Sequence, residues 1–173
     1  MNAIQVLFLL SPLLAGVILA GLLRHDPRRA MESRRVVSLC LATLILGLLL
    51  VGVVSHTFVR HIVQVIPPAA ALILVARGSA HGPSAAAPLL MFWFGVMANI
   101  WMFLLGIARV ITGTFTLVEI VLTIAIAIAC AFGFVAVARS GSGLSVGQRL
   151  ASAIAFAVAQ FLALVASFQP MFR

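Results

Sequence analysis

Five ionisable side chains, His56, Arg60, His61, Arg109 and Glu119, stand where an otherwise apolar chain could handle an ion, a proton or an anionic group. Glu119 is the only carboxylate in the apolar body, and an acid inside a membrane is a functional candidate by default. It also sits one turn into its helix, where it can close a capping box with Thr116 and pair with Arg109 across the short loop VITGTF. Together the five residues could bind an anion, a lipid headgroup or a metal. Singly, each could instead reach along its apolar stem to interfacial water.

His56 and His61 raise the question of haem b. Five residues apart, they diverge by about 140° on a helix, and haem in a bundle needs histidines on facing helices. His25 and His81 fall in loops at the opposite surface. No cofactor, haem b included, and no metal is therefore predicted.

A second constellation lies at mid-span. In FVRHIVQVIPPAAALILVARG, the residues Arg60, His61, Gln64, Pro67, Pro68 and Ala71 fall within about a third of the helix circumference. Val59, Ile62, Val63, Val65 and Ile66 form the opposite face, expected toward lipid. Pro67 and Pro68 cannot donate to the carbonyls of Val63 and Gln64, so a kink with two freed acceptors is expected. Asn99 on the next helix is a candidate donor for them. Broken helices and midplane amides serve transport in some membrane proteins, while packing is the alternative role for Asn99, Gly95 and Gly106.

The loop RHDPRRAMESRR carries Arg24, Arg28, Arg29, Arg34 and Arg35. Such residues orient a membrane protein, and each contributes about 1 kcal/mol near an anionic leaflet, so anionic lipid or an acidic partner is a fitting neighbour.

These residues need elements to hold them. Of 173 residues 64 % are hydrophobic and 8 % charged, the signature of an integral membrane protein. The net charge of +8 comes entirely from arginine, and the acids number three. That balance flanks membrane spans and does not indicate nucleic-acid binding. Cys40 and Cys130 lie in apolar runs without metal-ligand spacing.

Spans are predicted near Ala3–Leu23, Val36–Val54, Phe58–Ala76, Pro88–Ala108, Thr116–Ala138 and Val146–Phe168. Counting six places eight arginines on one side and three on the other, with five spans the alternative. The expected fold is an all-α bundle of six transmembrane helices, residues 1–173 forming one membrane domain, with both termini outside a bacterial inner membrane. Capping boxes at Thr116/Glu119 and Ser145/Gln148 mark the entries of the last two helices. Ala151, Ala155, Ala159, Ala163 and Ser167 recur at every fourth position, and Thr123, Ala127 and Ala131 form a shorter counterpart. Such ridges predict a tight hairpin or an oligomer interface.

Hydrolysis, phosphotransfer or di-metal oxidation would need several convergent carboxylates or histidines, and neither a phosphate-cradling loop nor a nucleophile elbow occurs. The expected function is a non-catalytic subunit or accessory component of a membrane assembly, or a homo-oligomer. The alternatives are a small channel or carrier past the Pro67/Pro68 kink, and a haem- or quinone-associated electron carrier.

Overall fold

A computed structural model describes residues 3–23, 30–111, 113–140 and 142–169. These form six helices, α1 (Ala3–Leu22), α2 (Ala30–Val54), α3 (Phe58–Ala76), α4 (Gly82–Leu104), α5 (Leu117–Ser140) and α6 (Val146–Ser167), and no strand occurs among the described residues. Five stretches, Glu32–Val54, Phe58–Ala76, Gly82–Leu104, Leu117–Ser140 and Val146–Ser167, are long and apolar enough to cross a membrane. Within α1 the apolar stretch is the shorter Leu10–Leu22. Large apolar side chains are exposed on every helix, Leu14, Leu46, Ile66, Phe94, Ile128 and Leu162 among them, which suits a surface facing hydrocarbon. Arg24, Arg28 and Arg29 lie outside the described residues.

Two helices differ from their predicted extents. α2 begins earlier than Val36 because AMESRR continues the helix beyond the apolar run, with Glu32 at the positive end of the helix. α4 begins at Gly82, ahead of the predicted Pro88, within what the sequence predicts to be a loop. Pro83 falls in the first turn, where its missing N–H removes no helical bond, and the alanines after it favour helix. The other end of α4 stops at Leu104, short of Ala108, because Gly106 takes φ 73° and Ile107 N–H donates back to Met102 C=O at 2.8 Å. α2 and α3 end with the same 6→1 closure, through His56 at φ 56° and Gly78 at φ 72°. The closing bonds run from Thr57 N–H to Gly52 C=O (2.8 Å) and from Ser79 N–H to Leu74 C=O (2.9 Å). His56 thus occupies a position where the other two helices use glycine.

α4 is the central helix, touching each of the other five. Its opening run from Gly82 to Leu90 is wholly buried, and the small side chains of Ser84, Ala85, Ala86 and Ala87 let neighbouring backbones come close. α1 and α4 meet through two reciprocal proline–glycine contacts. A Cβ on Gly16 would fall on the backbone of Pro88, 2.9 Å from its nitrogen, and a Cβ on Gly95 would fall on Pro12, 2.9 Å from its Cβ.

The stripe predicted on α3 is turned inward. Gln64, Pro67, Pro68 and Ala71 are buried, Arg60 and His61 half-buried, and Val59, Ile62 and Ile66 exposed. Val65, expected toward lipid, is buried, because α2, α4 and α6 all pack on α3 and the covered arc exceeds the polar stripe.

The hairpin expected from α5 and α6 does not form as a principal contact. α5 packs on α2 and α4, and α6 on α1, α3 and α4. The ridge on α6 consequently faces outward, with Ala151, Ala155 and Ala159 exposed and only its end, Ser167, buried. On α5, Thr123 is buried and Ala131 exposed.

Replacing Gly16 or Gly95 by Leu overpacks the α1–α4 seam and is expected to cost about 1–3 kcal/mol. Gly147→Leu, where a Cβ meets nothing within 4 Å, is the control. Thermal unfolding in detergent checks this, and equal midpoints for all three variants would refute the seam.

Candidate functional site

Where α2, α4 and α6 end and α3 and α5 begin, the helices splay around a cavity of about 610 Å³. That volume falls within the range of about 300–1,000 Å³ usual for ligand sites. Four of its polar lining residues are Arg60, His61, Gln64 and Glu119, and Trp93, Met97, Ile100 and Ile126 supply apolar wall. The stretch between α4 and α5 contributes Val110, Ile111, Gly113, Thr114 and Phe115.

Each polar group is held by local geometry. Glu119 is 7 % exposed, and its Oε2 accepts from Thr116 N–H (2.7 Å) and Thr116 Oγ1 (2.8 Å), while Thr116 Oγ1 accepts from Glu119 N–H (3.3 Å). The predicted capping box is therefore present, and the corresponding one at Ser145/Gln148 opens α6. His61 Nδ1 lies 3.1 Å from both Thr57 C=O and Thr57 Oγ1. A carbonyl can only accept, so Nδ1 carries the proton and Nε2 of the neutral ring is an acceptor. The chain of donors continues through Thr57 Oγ1 to Ser55 Oγ (2.6 Å) and from there to Val51 C=O (2.7 Å). Arg60 stacks its guanidinium on the Phe168 ring, with Cζ 5.0 Å from the centroid, and its Nε has no partner. Stacking leaves the edge of the guanidinium free for an acceptor.

Gln64 joins this site to the mid-span constellation. Its Nε2 donates to Ser167 Oγ at 2.9 Å, and Ser167 Oγ donates to Leu164 C=O at 2.6 Å. Its backbone C=O, which Pro68 cannot serve, accepts from Gln160 Nε2 at 3.5 Å. Asn99, the candidate for that duty, instead donates to Gly95 C=O of its own helix at 2.8 Å. Neither Asn99 nor Pro67 nor Pro68 lines the cavity. Gln160, 0 % exposed, is not among the residues that sequence spacing singles out. The available signal was a lone amide inside LASAIAFAVAQFLALV, the apolar run of α6.

The predicted outer cluster is thus divided. Arg60, His61 and Glu119 share the cavity, while His56 and Arg109 are exposed and outside its lining. Among the described residues no ion pair within 4.0 Å joins Arg109 to Glu119. His56 is spent on the turn. Arg109 sits in the irregular stretch after α4. At the other end of the bundle Arg35, Arg77 and Arg139 are exposed, whereas Arg149 is buried. The guanidinium of Arg34 lies against Gly78, 2.6 Å from where a Cβ would be, beside the C-terminal end of α3, where a cation is favoured. Among the described residues no three His, Cys, Asp or Glu side chains gather as metal ligands would.

Gln160→Leu leaves the Gln64 carbonyl without a donor and is expected to destabilise by about 1–3 kcal/mol. Pro68→Ala restores a backbone N–H at the right place, so the same change in a Pro68→Ala background should cost clearly less. A double-mutant cycle read by unfolding in detergent decides it, and an equal cost in both backgrounds rejects the assignment. His56→Gly, which relieves a left-handed residue, is expected to gain up to about 1 kcal/mol. A lowered midpoint would show that the imidazole does more than turn the chain.

The chain matches no family model, no curated protein and no solved structure.

Proposed function

We propose that this chain is a six-span protein of a bacterial inner membrane that works without catalysis of its own, as a subunit of a membrane assembly or as a homo-oligomer. The observation that carries this reading is the outward ridge of α6. Ala151, Ala155 and Ala159 stack one above another on an exposed face, while the buried face of the same helix is a different set, Ala153, Ala157, Gln160 and Leu164. In lipid, apolar burial does not drive helices together; close backbone approach over small residues does. A second helix seated on this ridge would gain that contact.

α1 supplies the sixth span in this reading, since its 20 residues reach about 30 Å. The eight-to-three bias of arginines then sets the arginine-rich end toward the cytoplasm and both termini outside. Arg35, Arg77 and Arg139 are exposed at that end, available to anionic lipid.

A second reading, a carrier, draws on one observation: the cavity reaches Gln64, one turn from Pro67 and Pro68. Native mass spectrometry of protein purified from its own host in a mild detergent separates the two. A stoichiometric partner or homo-oligomer is expected, and Ala155→Leu combined with Ala159→Leu should release the monomer without lowering its unfolding midpoint. A bare wild-type monomer would sink the assembly reading and favour the carrier.

A further inference from the structure

We propose that the cavity is a lipid-binding site, selective for a phospholipid whose headgroup carries both a phosphate and a primary ammonium. Three observations point there. First, the polar lining holds opposite charges that do not neutralise one another. Arg60 and Glu119 line one cavity, yet among the described residues neither forms an ion pair within 4.0 Å. A ligand bearing one charge would satisfy one residue and oppose the other; a zwitterion satisfies both. Phosphate suits the free edge of the stacked Arg60 guanidinium. An ammonium suits Glu119 and His61 Nε2, because the hydrogen bonds from Thr116 go to Oε2 of Glu119 alone and Thr57 engages only Nδ1 of His61. A primary ammonium can donate to both acceptors, which a trimethylated one cannot.

Second, the cavity holds a buried donor that nothing satisfies. Trp93 is 3 % exposed, lines the cavity, and its Nε1 has no hydrogen-bond partner. Indole N–H groups in such surroundings ordinarily find an acceptor. Trp93 sits about three turns in from the end of α4, well beyond the charged mouth. An acceptor further along the molecule whose headgroup meets Arg60 and Glu119 would satisfy it. The ester carbonyl of an acylated glycerol is such a group, and a small free zwitterion has none. Third, the walls around Trp93 are apolar, with Leu48, Val96, Met97, Ile100 and Ile126, and accept hydrocarbon chain.

The test is native mass spectrometry on delipidated full-length protein, titrated with phosphatidylethanolamine, phosphatidylglycerol and soluble glycerophosphoethanolamine. Phosphatidylethanolamine is expected to bind about tenfold more tightly than phosphatidylglycerol. Glu119→Gln keeps a capping-box residue at its place in α5, so the helix start survives while the charge is lost. It should bring the two lipids to nearly equal affinity by weakening phosphatidylethanolamine. Arg60→Gln should weaken both. Trp93→Phe, which deletes only the N–H and the extra ring, should weaken the ester-linked lipid and leave its ether-linked analogue unchanged.

Equal binding of the two lipids by the wild type would overturn the proposal, as would a lipid preference that Glu119→Gln leaves intact. Soluble headgroup binding as tightly as the lipid would overturn the lipid assignment in favour of a free zwitterion. Unfolding midpoints measured without lipid identify any variant that has lost its fold. Oligomeric state is read from the same spectra, so failure here is distinguishable from failure of the assembly reading.

Discussion

A peptide carbonyl that loses its helical partner inside hydrocarbon has no water to turn to, and Pro68 creates one at Gln64. Gln160 of α6 serves that carbonyl, and the Gln64 side chain reaches the opposite way along α6 to Ser167. Two amides and a hydroxyl thus tie α3 to α6 at the depth where the cavity begins. The consequences run upward from that tie. Arg60 lies one turn before Gln64, and Phe168 directly follows Ser167. Once the tie is made, guanidinium and ring come into register, and the 5.0 Å stack at the mouth follows from it. A leucine at Gln64 would leave the helices apolar enough for the membrane yet remove what indexes one against the other.

The same economy of backbone contact governs α4. In a membrane the core gains little from apolarity, because lipid is as apolar as leucine, so packing depends on how closely chains approach. Pro12 on Gly95 and Pro88 on Gly16 let α1 lie against α4 with proline rings filling the glycine notches. Small residues of α4 fill its first two turns, while Trp93, Met97 and Ile100 lie further along, beside the cavity. Close packing at one end of α4 and bulk at the other is what leaves space beside its second half, at the arginine-poor end.

Much of this was legible as periodicity. The polar stripe on α3, both capping boxes and the bounds of α3 follow from spacing within one helix, and the structure has each of them. Cross-helix facts were not legible. Nothing in the run LASAIAFAVAQFLALV says that Gln160 meets the particular carbonyl Pro68 vacates, nor that Asn99 is occupied on its own helix. The burial of Val65 is illegible for the same reason, since periodicity shows which residues share a face and not how many helices cover it. The start of α4 was missed because Gly82, Pro83 and Ser84 resemble a loop in composition, although a proline in the first turn is compatible with helix. Depth groups His56 and Arg109 with Arg60, His61 and Glu119, but depth along the membrane normal does not report direction around a helix or a turn.

Glu119 illustrates why a structural and a functional role need not compete. Capping occupies one carboxylate oxygen, Oε2, with the two donors of Thr116, which anchors the side chain at the start of α5. An anchored anion has lost its rotamer freedom before any ligand arrives, so a ligand that meets it forgoes that ordering cost. Arg60 is preordered in the same way by Phe168, and His61 by Thr57. Three separate local devices, a helix cap, a ring stack and a turn hydroxyl, each fix one polar group at the rim of a single cavity. Snorkelling side chains serve only to reach water and need no such fixing, and a ligand held by all three would meet polar groups already in place.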